Sequence, residues 1–181
     1  MAVLVAAVIL LGGLVLLNLL LTGAVIRKLR KSSGESRPDW GHPQNPSLPV
    51  GSAVPAFSAL TAANTKVTAD DFAGERTLIG FFSTDCRHCL PKAPVFAATA
   101  RDAEADGVRA LAVIVAGQED PTDLFTALTD DVNVVVENES GAMVGAFAIT
   151  AFPWFFLIGP DATVTASGHE PERLLAAPSH A

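Results

Sequence analysis

Cys86 and Cys89 are the only two cysteines in the chain, and Arg87 and His88 stand between them. At that spacing two sulfurs can meet across the first turn of a helix and close a small reversible disulfide. A helix N-terminus offers unpaired N–H groups and positive potential, both of which favour a thiolate. Arg87 and a protonated His88 would add positive charge beside it. Cys86 is therefore expected to be the exposed nucleophile, with its thiolate stabilised, and Cys89 the buried resolving thiol. The chemistry implied is thiolate attack, a mixed disulfide, and displacement by the second cysteine.

Other uses of two cysteines fit less well. Haem attachment needs a histidine directly after the second cysteine, where this chain has Leu90. A zinc site would need further ligands from His42, His88, His169 or His180, which show no ligand spacing, so no metal is expected. Two cysteines are too few for a disulfide scaffold. The redox pair itself would be the only cofactor.

Elements that could position such a pair are readable on either side of it. Short apolar runs at Thr77–Phe82, Arg109–Ala116 and Trp154–Ile158 suit strands covered on both faces. Val132–Val136 is a further strand, and Thr163–Ala166, after the Gly159-Pro160-Asp161 turn, is a hairpin partner. Helices are expected at Leu90–Ala105, Pro121–Leu128 and Gly141–Ala148, with Asp120 capping the second. Strands alternating with helices imply an α/β domain with a mainly parallel or mixed sheet. The cysteines fall where the first strand passes into the first helix.

Ahead of this domain, the chain of 181 residues changes character twice. Residues 1–26 carry no charged side chain, and Ala2–Ile26 is long enough as a helix to span the hydrocarbon of a bilayer. A secretory signal would have a basic start and a shorter core, so a single-pass membrane anchor is expected. Residues 27–49 carry five basic and two acidic side chains and are rich in proline and serine from Ser32 onward, which reads as a tether. Residues 50–181 carry seven basic and 17 acidic side chains and form the domain. Such an acidic balance, net −7 over the chain, argues against nucleic acid as a partner.

With these residues in place, the chain resembles the thioredoxin superfamily, and within it the membrane-anchored TlpA-like and MauD-like thiol–disulfide oxidoreductases. Gly51-Ser-Ala-Val-Pro55-Ala-Phe57 is similar to a G-x-x-x-P-x-F opening, and Val67–Gly74 to the segment before the first core strand. Phe81-Phe82-Ser-Thr-Asp-Cys86-Arg-His-Cys89 is similar to the aromatic strand end and active-site motif. Pro94 stands where the superfamily kinks its active-site helix, and Phe152-Pro153 resembles the cis-proline loop that faces the disulfide. The resemblance runs from about residue 50 to 175. It implies a thioredoxin-like three-layer fold, with a mixed sheet and helices on both faces. Phe152 and Pro153 would form the substrate-binding loop, with Phe152 contacting an extended substrate peptide by its backbone.

Departures from the pattern also matter. Thioredoxins carry a buried aspartate six residues before the first cysteine, and this chain has Gly80 there, which removes an aspartate-based proton relay. Pro91 is unusual so close to a helix start. Histidine before the second cysteine is similar to strongly oxidising Dsb-type sites.

The function expected is thiol–disulfide exchange on protein substrates, served by a redox partner protein, in maturation of exported proteins. Alternatives are a peroxiredoxin-like peroxidase and a non-enzymatic anchored binding module with a structural disulfide. Peroxiredoxins use P-x-x-x-T-x-x-C, and here Ile79 and Ser83 stand in the proline and threonine positions. The family resemblance implies that the domain lies outside the cytoplasm, whereas Arg27, Lys28, Arg30 and Lys31 after the anchor favour the inside.

Overall fold

The computed structural model of the chain describes residues 11–13, 47–129 and 132–176. By internal contacts the chain divides into two compact units, Met1–Pro43 and Gln44–Ala181. In the first unit the described residues, Leu11, Gly12 and Gly13, are helical. The expected anchor at 1–26 and the tether at 27–49 otherwise lie outside the described residues, apart from 47–49. Among the described residues, no helix is long and apolar enough to cross a membrane. Ser47 is buried, and the Leu48 N–H donates to the Phe147 carbonyl, so the second unit is already folded at these positions.

The second unit is built on a five-stranded mixed sheet. Its strands are β3 (Arg76–Ser83), β4 (Val108–Val115), β5 (Asn133–Glu137), β6 (Trp154–Ile158) and β7 (Val164–Gly168). They lie in the order β5-β4-β3-β6-β7. β3 pairs parallel with β4 and antiparallel with β6, which places the strand leading to the cysteines at the centre. A small antiparallel pair, β1 (Ser58–Leu60) and β2 (Lys66–Thr68), precedes the sheet. The helices are α1 (Cys89–Glu104), α2 (Thr122–Leu128), α3 (Ala142–Ala146) and α4 (Pro171–Ala176).

Strand periodicity sorts the side chains into two cores. Leu78, Phe82, Ala112, Ile114, Phe155 and Leu157 face one side with α1, α2 and α4. Ile79, Phe81, Val113, Phe156 and Ile158 face the other, with Met143 and Val144 of α3. β6 is buried at every position, as a strand covered on both faces must be. This is the three-layer arrangement the resemblance implies.

Most boundaries move by a residue or two. The largest adjustment in meaning is at the second helix. Pro121 is its N-cap residue rather than its first turn, and the Asp120 carboxylate accepts the Thr122 N–H at 2.7 Å. Hydrogen bonding by the Thr122 side chain and N–H holds the Asp120 carboxyl below the usual carboxylate range. β1, β2 and α4 were not among the expected elements.

Candidate active site

The buried stripe of α1 explains where Cys89 sits. Cys89, Ala93, Phe96, Ala97, Ala100 and Ala103 are its buried residues, at helical spacing. The alanines let the helix lie close on the sheet, and Cys89 opens the stripe directly below the end of β3. α1 begins at Cys89 itself, so Cys86 lies in the preceding turn, closed by the Cys89 N–H donating to the Cys86 carbonyl at 2.9 Å. Pro91 falls in the first helical turn, where no intrahelical N–H bond is due, and is accommodated there. Pro94 lies inside the helix.

The two thiols have different surroundings. Cys89 is fully buried, and the Ser83 N–H donates to its sulfur at 3.3 Å. Burial, reinforced by a hydrogen bond with Cys86, pushes its pKa far up, against the opposing Ser83 bond. Cys86 is half-buried, and its thiol donates to the Phe152 carbonyl at 3.4 Å. The Phe152–Pro153 peptide is cis. Cys86, Cys89, Phe152 and Pro153, distant in sequence, therefore meet at one end of the sheet. This is the carboxyl end of the parallel strands, where open α/β sheets place their chemistry.

Arg87 and His88 are exposed on the turn between the cysteines. Arg87 Nε–H donates to His88 Nε2 at 3.1 Å. An arginine only donates, so His88 Nε2 is the acceptor in this contact.

Two contributors were not singled out from the sequence. Asp85, next to Cys86, accepts the N–H groups of Gln118 and Glu119 on one oxygen, at 2.9 and 3.1 Å. The Thr84 hydroxyl accepts the Gly117 N–H at 2.8 Å. Together they tie the turn before Cys86 to the loop after β4. Gly117 allows this, because a Cβ there would stand 2.2 Å from the Asp85 carboxylate. His169 is the second: its Nδ1 lies 2.8 Å from the Pro153 carbonyl, and its ring is edge-on to Trp154. Both partners are backbone groups remote in sequence, which leaves no local signal.

Gly80 is explained by packing. A Cβ there would stand 2.8 Å from Phe96 and 2.9 Å from Phe82, both fully buried rings. Aromatic carbon fills the space beside Gly80, and Cys89 belongs to the same apolar cluster as these two rings.

A cavity of about 680 Å³ lies at the opposite end of the sheet, bounded by Lys66, Asp71, Thr77, Arg109 and neighbours. It contains no cysteine, and Arg109 is engaged with Glu75 and the Asp71 carbonyl. This hollow and the two cysteines therefore lie apart. Among the described residues, no three His, Cys, Asp or Glu side chains form a group that could hold a metal ion.

Solved structures share this architecture. The thioredoxin domain of a thiol-disulfide oxidoreductase from Bacteroides vulgatus is 22% identical, with a TM-score of 0.59 over 72% of this chain and 95% of that one. A thiol:disulfide interchange protein from Bacteroides sp. is 22% identical, with a TM-score of 0.56 over 71% and 87%. The pneumococcal exposed lipoprotein thioredoxin of Streptococcus pneumoniae is 18% identical, with a TM-score of 0.55 over 67% and 96%. These likenesses show the thioredoxin-like fold. Among curated protein sequences none matches the chain. The sequence profile of the AhpC/TSA family matches residues 50–167, well over half of the chain, and on that ground the protein belongs to the AhpC/TSA family.

Proposed function

We propose that the protein is a thiol–disulfide oxidoreductase acting on protein thiols or disulfides, held at a membrane by residues 1–26. The observation that carries this reading is the half-buried Cys86 thiol facing the Phe152 carbonyl, with Cys89 fully buried behind it. Cys86 thiolate attacks a substrate disulfide, forming a Cys86–substrate bond and releasing one substrate thiolate. Cys89, after losing its proton, attacks the Cys86 sulfur, releasing the second thiolate and closing the Cys86–Cys89 disulfide. The substrate is reduced by two electrons and the pair oxidised; run backwards, the cycle oxidises the substrate.

The basic Arg87-His88 pair between the cysteines leans the reading towards oxidation rather than reduction of substrates. Oxidative maturation of exported proteins, with the domain outside the cytoplasm, is the reading adopted.

The test is substitution of each cysteine in the full chain. Cys89→Ser should accumulate mixed disulfides with substrate, and Cys86→Ser should form none. A reduction potential near about −120 mV would mark an oxidant and one near about −270 mV a reductant. Peroxide consumption that survives Cys89→Ser, without disulfide exchange in the wild type, would replace this reading with the peroxidase one. Reporters fused to the C-terminus decide the side, and a cytoplasmic signal would overturn the maturation role.

A further inference from the structure

Two successive carbonyls, of Phe152 and Pro153, are each held by a side chain. The Phe152 carbonyl accepts the Cys86 thiol at 3.4 Å, and the Pro153 carbonyl lies 2.8 Å from His169 Nδ1. A carbonyl only accepts, so Nδ1 carries the proton and His169 is the donor. The register explains why His169 reaches this point. Phe155 pairs with Gly168, the last residue of β7, which brings the following residue, His169, level with Trp154. The His169 ring then packs edge-on to the Trp154 ring, with centroids 4.3 Å apart, which fixes the direction of Nδ1.

We propose that His169 is a positioning residue for the site: by holding the Pro153 carbonyl, it keeps the neighbouring Phe152 backbone aimed at Cys86 and at the incoming substrate strand. The role rests on the oxidoreductase reading above. His169 touches neither sulfur. It acts through two consecutive peptide groups, in the way outer hydrogen bonds orient the groups that do the chemistry.

The experiment compares the wild-type full chain with His169→Ala and His169→Asn. An asparagine amide can place an N–H near where Nδ1–H stands, so it restores the donor without the ring. Two quantities are read: amide exchange at Phe152 and Trp154 by mass spectrometry, and KM against kcat for an oxidised peptide. His169→Ala should speed the loop's exchange and raise KM, each by about fivefold, the equivalent of one neutral hydrogen bond. The kcat should change little, and His169→Asn should restore both quantities. Unchanged exchange and KM in His169→Ala overturn the assignment, as does failure of His169→Asn to restore them while the thermal midpoint is recovered. A wild-type chain that exchanges no disulfides overturns the oxidoreductase reading instead, and with it any reaction for His169 to position, even if the loop is freed.

Discussion

Phe96 occupies the space that a side chain at Gly80 would need: a Cβ there would approach its ring to 2.8 Å. Phe96 itself stacks on Phe155, with centroids 5.5 Å apart, and both are fully buried, so neither ring can swing away into solvent. Gly80→Ala should therefore destabilise the chain by about 1–3 kcal/mol through overpacking. Gly80→Asp should cost more, because it adds a buried charge with no partner. Urea midpoints at constant slope measure both, and an unchanged midpoint for Gly80→Ala would show that the rings yield.

Cys89 makes the reduced protein sensitive to alkali. Burial pushes its thiol far above the ordinary value of 9.0, so the folded chain keeps a proton that the unfolded chain loses. Below pH 9 both states are protonated and the group contributes nothing to the pH dependence. Above it the unfolded state binds fewer protons, and stability should fall by up to about 1.4 kcal/mol per pH unit. The chain has no tyrosine, which removes one other group that titrates there. Denaturation of the reduced protein from pH 8 to 10.5 should show a downward slope that flattens in Cys89→Ala; equal slopes would contradict the burial argument.

Asp85 should matter for the loop after β4 as well as for the turn before Cys86. Asp85→Ala removes the acceptor for the Gln118 and Glu119 N–H groups, which water can partly replace at these exposed positions. A loss of about 1 kcal/mol is expected. Asp85→Asn keeps an acceptor oxygen and should lose less. Chemical denaturation gives the ranking, and faster exchange at residues 118 and 119 in Asp85→Ala locates the effect.

Glu137 caps α3. Its carboxylate accepts the Met143 N–H and the Val144 N–H, two donors at a helix start that would otherwise have no partner. Glu137→Ala should cost about 1 kcal/mol, in the range of a lost N-terminal cap, and Glu137→Gln less. Calorimetry on the three proteins checks the order.

Elements that carry their own burial in their composition were readable before any coordinates. Trp154–Ile158 is a strand because five consecutive large apolar residues suit a position between two cores. Cys86 and Cys89 were readable because their spacing is itself the chemical signal. β1 and β2 were not, because three-residue strands with exposed positions have too short a pattern to separate from loop. The oddity of Gly80 was visible, but its cause, Phe96, lies on another element. Asp85 and His169 were invisible as site residues because each bonds to backbone that only the folded topology brings near. Sequence periodicity reports which face a residue takes, and it carries no information about which remote amide or carbonyl that face will meet.

The contact between Asp85 and Gly117 has an evolutionary consequence. A side chain at 117 would overlap the carboxylate at 85, and the carboxylate is what holds the loop that begins at 117. The constraint runs one way: a side chain at 117 is resisted while the carboxylate stands at 85, whereas 85 can change with glycine in place at the cost of the loop's hydrogen bonds. Among descendants of this sequence, a side chain at 117 should appear only where the aspartate at 85 has already been lost, a dependence that leaves its trace as covariation.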